Sequence, residues 1–293
     1  MLTEIRTSRP GEEERQRELW RTAFGDEEEV IDCFYQCCYR SEDMLVLAED
    51  GRICTMLALL PMELVAPAGQ SASAWYVYAL ATDPDQRKKG FGRQLLHYAD
   101  FYLRERLADC LTVVPAEPSL HRYFSTVGFQ PCFATRKLEL LPAMISPANR
   151  ADALEQTGAA VYNRIREAQL EGGSRVRYND DLIEYQKGLA ELSGAGLYQI
   201  SVEGETGCAA VEYVDRDSVL CKELLISPAH MERAVALIAA RHPARRYHVR
   251  TPACWEGLPG GYLQPFGMVK WYNRDKEALW AACTHSYMGL GFD

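Results

Sequence analysis

The stretch LATDPDQRKKGFGRQLL, Leu80–Leu96, joins an apolar run to a helical one through a turn of cations and glycines. Before it, AWYVYAL (74–80) is rich in aromatics and bounded by polar residues, which predicts a buried β-strand. After it, Phe91, Leu95, Ala99, Tyr102 and Leu103 recur at helical spacing, so a helix starts at about Gly90. The first N–H groups of a helix lack backbone partners and sit at the positive end of its dipole. Gly90 and Gly92 leave those groups unshielded, and Arg87, Lys88, Lys89 and Arg93 add charge around them. That combination suits a phosphate or pyrophosphate. A solvated basic loop is the plainer alternative. A nucleotide P-loop is disfavoured, because RKKGFG lacks the GK[ST] ending.

The surrounding pattern gives the turn its context. A strand (MLTEIRTS), helices from about Gly11 and about Glu27, and a hairpin (44–67) precede it. The strand CLTVVPA, a short helix SLHRYFST closed by Gly128, and strands through FATRKLELL follow it. Strand, helix and strand around the basic turn predict a parallel pair with a crossover helix, and the anion site at the carboxyl end of the first strand. LPAMISPANRAD (141–152) has the composition of a connection, which places a boundary near Ile145. A helical stretch to about Leu170 then leads into a second series of hairpin, strand, helix and strand, ending in RTPA where the first series has VVPA. The expected class is α/β (α+β), with two tandem domains, 1–145 and 146–293, each a mixed twisted sheet flanked by helices. The second copy has SPAHMER where the first has DPDQRKKGFG, so its anion site is lost.

Composition bounds the partners. With 293 residues, 47% of them hydrophobic and 25% charged, the chain has the makeup of a globular protein with room for two cores. No apolar run approaches the ~18 residues of a membrane span, and the first residues have no signal-peptide core, so a cytoplasmic protein is expected. The net charge of −9 argues against a nucleic-acid surface and permits a cationic substrate. Ten cysteines and six histidines show no CxxC pair and no regular spacing, which argues for reduced thiols and against a metal site.

RKKGFG, Arg87–Gly92, resembles the RxxGxG motif of the GNAT superfamily of acyl-CoA-dependent N-acyltransferases, and PAEPSLHRYFSTVGF (115–129) resembles that family's second signature. Both lie in order between Trp75 and Phe129. One intact copy followed by one degenerate copy resembles the tandem, enhanced-intracellular-survival type of acetyltransferase, here without room for its sterol-carrier-like domain. The resemblance implies acetyl-CoA as cosubstrate. It assigns main-chain groups of Leu80, Ala81 and Thr82 to the pantetheine arm, and Arg87, Lys88, Lys89, Gly90, Phe91, Gly92 and Arg93 to the pyrophosphate. Glu117 stands roughly where many members have an asparagine near the CoA arm. The family's thiolate-protonating tyrosine falls at Phe124, which has no hydroxyl, and Tyr123 is the neighbouring substitute, roughly 100° round the helix axis. In the tandem type the terminal carboxylate receives the amine proton, which points to Asp293 at the end of THSYMGLGFD. An apolar, glycine-bearing tail of that kind suggests burial.

On the acceptor side the candidates are Trp75, Tyr76 and Tyr78, which alternate faces along one strand, and Glu63, the only acid between Arg52 and Ala81. GDEEEV (25–30) is read as a helix start with Asp26 as N-cap and Glu29 completing a capping box, or as an attractor for a cationic amine. Freeing an alkylamine of its proton at pH 7 costs about 4.6 kcal/mol, against roughly 2 kcal/mol for a thiol of pKa ~8.5. Loss of the acid is therefore the smaller problem. The expected activity is acetyl transfer from acetyl-CoA to a primary amine of a small molecule or peptide; the alternative is a CoA-binding sensor or scaffold without chemistry. Formation of a homo-oligomer is compatible with either.

Overall fold

In the computed structural model the described residues are 2–257, 259–281, 283 and 286–292. They form two compact units, each described here by itself. The first holds 1–63, 72–131 and 268–280, and the second 64–71, 132–267 and 281–293. The units do not follow one cut near Ile145.

The first unit begins with β1 (Thr3–Thr7), α1 (Glu13–Phe24), α2 (Glu28–Cys37), β2 (Met44–Glu49), β3 (Arg52–Val65) and β4 (Ser71–Thr82). It continues with α3 (Phe91–Glu105), β5 (Cys110–Val113), α4 (Pro118–Ser125) and β6 (Gln130–Pro131). β4 and β5 are parallel, with Ala74 beside Cys110 and Val77 beside Val113, and α3 is their crossover. One face of the sheet packs Leu57, Leu59, Val77 and Leu111 against Phe91, Leu95, Ala99 and Leu103 of α3. On the face of α1 and α2, Trp20 and Phe34 meet Tyr78 with ring centroids 5.5 and 5.8 Å apart. The capping box at 26–29 does not form. α2 starts at Glu28, and the Asp26 carboxylate instead accepts the indole N–H of buried Trp20 at 2.7 Å. A buried donor without a partner costs more than an unfilled cap at an exposed helix end.

The second unit holds β7 (Ala134–Leu140), β8 (Ala153–Gln156), α5 (Ala159–Gln169), β9 (Arg175–Arg177), α6 (Asp180–Leu192), β10 (Gly196–Val202) and β11 (Glu205–Asp215). It goes on through β12 (Ser218–Leu225), α7 (Met231–Arg241), β13 (Arg246–Pro252) and β14 (Tyr262–Pro265). Its seven-stranded sheet runs β14-β7-β13-β12-β11-β10-β8. β12 and β13 are parallel, and α7 packs Met231, Ala234, Val235 and Ile238 onto one face. The expected helix before Leu170 is preceded by strand β8, and α6 was not expected. The signal for α6 was present in NDDL, since Asn179 caps the helix by accepting from the Leu182 amide at 2.9 Å.

The strand FATRKLELL, expected in the first copy, lies in the second sheet as β7, between β14 and β13. Its place in the first sheet, between β5 and β6, is taken by β15 (Met268–Trp271), which precedes α8 (Arg274–Ala281). β15 is fastened there by side chains. Lys270 Nζ donates to Asp100 on α3 at 2.5 Å and to the Val127 carbonyl at the end of α4 at 2.7 Å, and the Tyr272 hydroxyl donates to Asp100 at 2.8 Å.

Candidate functional site

The parallel pair opens where the basic turn begins. Pairing of β4 with β5 ends at Val77 and Val113, while β4 runs on to Thr82. Ala79 has φ +49°, a left-handed conformation rare for a residue with a side chain. It acts as a bulge. Trp75 and Val77 pack on the α3 face, Tyr78 meets Trp20 on the other, and Leu80, which strict alternation would place with Tyr78, returns to the α3 face. The edge of β4 from Tyr78 to Thr82 is left without strand pairing from β5. Its far side is held by β3, where Thr55 Oγ1 reaches the Ala81 carbonyl at 2.6 Å and Thr82 Oγ1 at 2.7 Å.

The turn itself is built from both ends. Asp83, 6% exposed, accepts the Asp85 amide at 3.1 Å, a guanidinium N–H of Arg52 at 3.1 Å and another of Arg15 from α1. Burial raises the Asp83 pKa, but its hydrogen bonds to Arg15 and the Asp85 amide and the two guanidinium charges outweigh that and lower it overall. This contribution is fully present above the ordinary carboxyl pKa and is lost only as pH falls through the lowered value. Lys88 has φ +67° and Gly90, the N-cap of α3, φ +81°. A Cβ on Gly90 would meet nothing within 4 Å, so the space in front of the helix is open. The amides of Phe91, Gly92 and Arg93 precede the first intrahelical bond, from Gln94 N to the Gly90 carbonyl at 3.0 Å.

Arg87, Lys88, Lys89 and Arg93 are all exposed around that end. Arg87 donates to the Thr82 carbonyl at 3.3 Å, Lys89 to Gln86 at 2.5 Å and Arg93 to Thr126 at 3.0 Å. The Phe91 ring is buried under α3, leaving its amide as the group it offers. Glu117, the N-cap of α4, is exposed and accepts from the Ser119 hydroxyl at 3.3 Å.

Phe124 is 6% exposed and packs edge-on to Phe129, so this position carries no polar group toward the opening. Tyr123 does. A Cβ on Gly92 would lie 3.5 Å from the Tyr123 hydroxyl and 3.8 Å from Thr82 Oγ1. Among the described residues that hydroxyl makes no hydrogen bond. Burial, against the opposing charge of Arg93, raises its pKa, so it is a proton donor at neutral pH. Its place is the first turn of α3, next to the anion turn.

The acceptor-side candidates are not brought together. Trp75 packs on the α3 face, whereas Tyr76 and Tyr78 lie on the face of α1 and α2, 5.9 Å apart between ring centroids. Glu63 is half-buried and lies eight residues beyond Thr55 on β3, roughly 26 Å along the strand from the turn. Asp293 lies outside the described residues. The tail before it is buried in the second unit, as its composition suggested. Tyr287 N bonds the Ser174 carbonyl at 2.9 Å, the Met288 carbonyl accepts from Tyr178 at 3.0 Å and from Arg166 at 3.3 Å, and Phe292 packs on Tyr178 and Tyr185. Arg166 and Glu223, each fully buried, pair beneath it at 3.0 Å.

Arg15 is the site residue that sequence reasoning missed. Its only signal is an arginine on an amphipathic helix, 68 residues from its partner. No group of three or more His, Cys, Asp or Glu is placed to hold a metal among the described residues.

The acetyltransferase (GNAT) domain family matches residues 4–131. No curated protein matches the chain. Among solved structures, a GCN5-related N-acetyltransferase from Anabaena variabilis superposes with TM-score 0.71 at 12% identity, covering 92% of this chain and 72% of its own. Eis1 from Mycobacterium abscessus gives 0.66 at 13%, covering 97% and 76%. A tandem GNAT protein from the clavulanic acid biosynthesis pathway gives 0.54 at 13%, covering 92% and 98%. At such identities the likeness is one of fold: two sheets flanked by helices, GNAT-like. The family match covers less than half of the chain.

Proposed function

We propose that the acetyltransferase (GNAT) domain at residues 4–131 moves an acetyl group from acetyl-CoA to a primary amine of a small molecule or peptide, with the second unit serving a structural role. The observation that carries this reading is the opening between β4 and β5 that leads to an uncovered, cation-ringed helix N-terminus. The pyrophosphate would sit on the amides of Phe91, Gly92 and Arg93 and among Arg87, Lys88, Lys89 and Arg93. The pantetheine arm would take the place of β5 along Leu80–Thr82, and main-chain N–H groups there would polarise the thioester carbonyl. The neutral amine attacks that carbon, a tetrahedral adduct forms, its nitrogen gives up one proton to water, and the C–S bond breaks to release the amide and CoA thiolate, which takes up a proton in turn.

Tyr123 supports the cofactor end of this arrangement. Its hydroxyl is protonated, makes no hydrogen bond among the described residues and lies beside Gly92, which suits donation to the phosphates or the arm. Phe124, buried and without a hydroxyl, favours a second reading, a CoA-binding sensor without chemistry. An acetyl-CoA turnover screen over a panel of amines, with detection of free thiol, separates the two. Amine-dependent CoA release supports the enzyme. Tight CoA binding with no turnover for any amine supports the sensor.

A further inference from the structure

We propose that Arg15, on α1, is a positioning residue for cofactor binding: it neutralises the Asp83 carboxylate at the mouth of the anion turn and ties the turn to α1. The inference rests on the CoA reading above. An anion site that opens with a buried carboxylate repels its own ligand unless that charge is cancelled. Asp83 is such a group, at 6% exposure, immediately before the turn that runs from Pro84 to Gly90. Two guanidinium groups cancel it. Arg52, on β3, is largely exposed, and solvent screens its pairing at 3.1 Å. Arg15 is mostly shielded and held in place by three partners: Asp83, the Ile53 carbonyl at 3.1 Å and Glu18 at 2.6 Å. The Asp83 amide donates to the Cys54 carbonyl at 2.8 Å, which fixes its backbone against β3, and the Asp85 amide and the two guanidinium groups hold its carboxylate. Of the other charges near the turn, Asp85 and the four cations are exposed and screened by water, and the largely shielded Glu49 is paired with Lys89 at 3.6 Å. Arg15 is therefore the shielded counter-charge of Asp83 beside the turn.

Electrostatic neutralisation and mere anchoring differ in sign, which a double-mutant cycle reads. The full chain is titrated with CoA by calorimetry as wild type, Arg15→Met, Asp83→Asn and the double variant. Asn at 83 keeps an oxygen to accept the Asp85 amide, so the turn cap survives the change. Arg15→Met is expected to weaken CoA binding by about five- to twentyfold, and Asp83→Asn to leave it within about threefold or tighten it. The double variant is expected to recover to within about threefold of wild type. If Arg15→Met does not fold, Arg52→Met serves the same cycle, with a smaller loss that Asp83→Asn relieves. An Arg15→Met chain that binds CoA normally, or a double variant no better than Arg15→Met, overturns the role of Arg15 and leaves the functional reading standing. A folded wild-type chain that does not bind CoA overturns both.

Discussion

The two crossovers in this chain share their architecture and differ in what fills the space before the helix. In the first unit β4 leads through a one-turn helix beginning at Pro84 to α3; in the second, β12 leads through one beginning at Pro228 to α7. Both leading strands carry an irregularity before the turn, at Ala79 in β4 and, by the register shift against β11, at Lys222 in β12. Beyond that they part. The α3 end is open, with Gly90 in the left-handed region and four exposed cations. At the α7 end a Cβ on Gly257 would lie 2.6 Å from the Pro228 carbonyl and 3.0 Å from the Met231 sulfur, so another loop already covers it. Ahead of the one-turn helix, where the first unit has Asp83, the Ser227 amide and hydroxyl donate to Glu205 at 2.8 and 2.7 Å. A parallel pair with a crossover helix supplies the position of a site. The turn's composition, and what covers it, decide whether an anion can use it.

The strongest test of this contrast is to damage the second unit and ask whether the first still binds. Glu223→Ala takes from the buried Arg166 guanidinium its fully buried counter-charge and leaves it only the Glu167 carboxylate at 3.3 Å, at an expected cost of about 3–5 kcal/mol. Its unfolding temperature should fall steeply, yet CoA affinity below that transition should match wild type, because residues 80–96 and their partners Arg15, Arg52 and Thr55 all belong to the first unit. Loss of CoA binding in a folded Glu223→Ala chain would break the separation of roles.

Gly90→Val should come next. It forces a β-branched residue into φ +81° and fills the space in front of α3, so CoA affinity is expected to fall by ~10² or more with little change in the circular dichroism of the chain. Calorimetry that finds CoA still bound with near wild-type affinity would move the site elsewhere in the molecule.

A third experiment asks whether the exchanged strand stabilises the unit that holds the site. Lys270→Met removes the charged donor to Asp100 and the Val127 carbonyl, at an expected cost of about 1–3 kcal/mol measured by urea unfolding. Saturating CoA should recover part of that loss, since a ligand that binds only the folded form stabilises it.

The smallest effect is expected at Tyr123. Phe in its place should raise KM for acetyl-CoA by about two- to fivefold, the worth of one hydrogen bond, with kcat nearly constant. A kcat fall of ~10² at unchanged KM would instead make the phenol the acid that protonates the departing thiolate.

The sequence alone was enough to read the βαβ unit, the start of α3 and the ring of cations before it, because those signals lie in one contiguous run from Trp75 to Val113, where periodicity, glycine placement and charge act locally. The lack of glycines and of a cation cluster in the second turn was legible for the same reason, residue against residue. Several features were decided only by tertiary structure. FATRKLELL and MVKW are both short apolar strands, and nothing in their patterns says which sheet each joins; β7 and β15 took their places through pairings more than a hundred residues apart in sequence. The bulge at Ala79 reset the strand alternation and returned Leu80 to the face of Trp75 and Val77, opposite Tyr78. Phe124 went to the core and Tyr123 to the site because packing against α3 and Phe129 set the rotation of α4. Arg15 found Asp83 only once α1 lay across the ends of β3 and β4. Local order follows from neighbouring residues, but pairing partners and buried charges are settled by competition among distant segments for the same core and the same counter-charges, and that competition is resolved only when the whole chain folds.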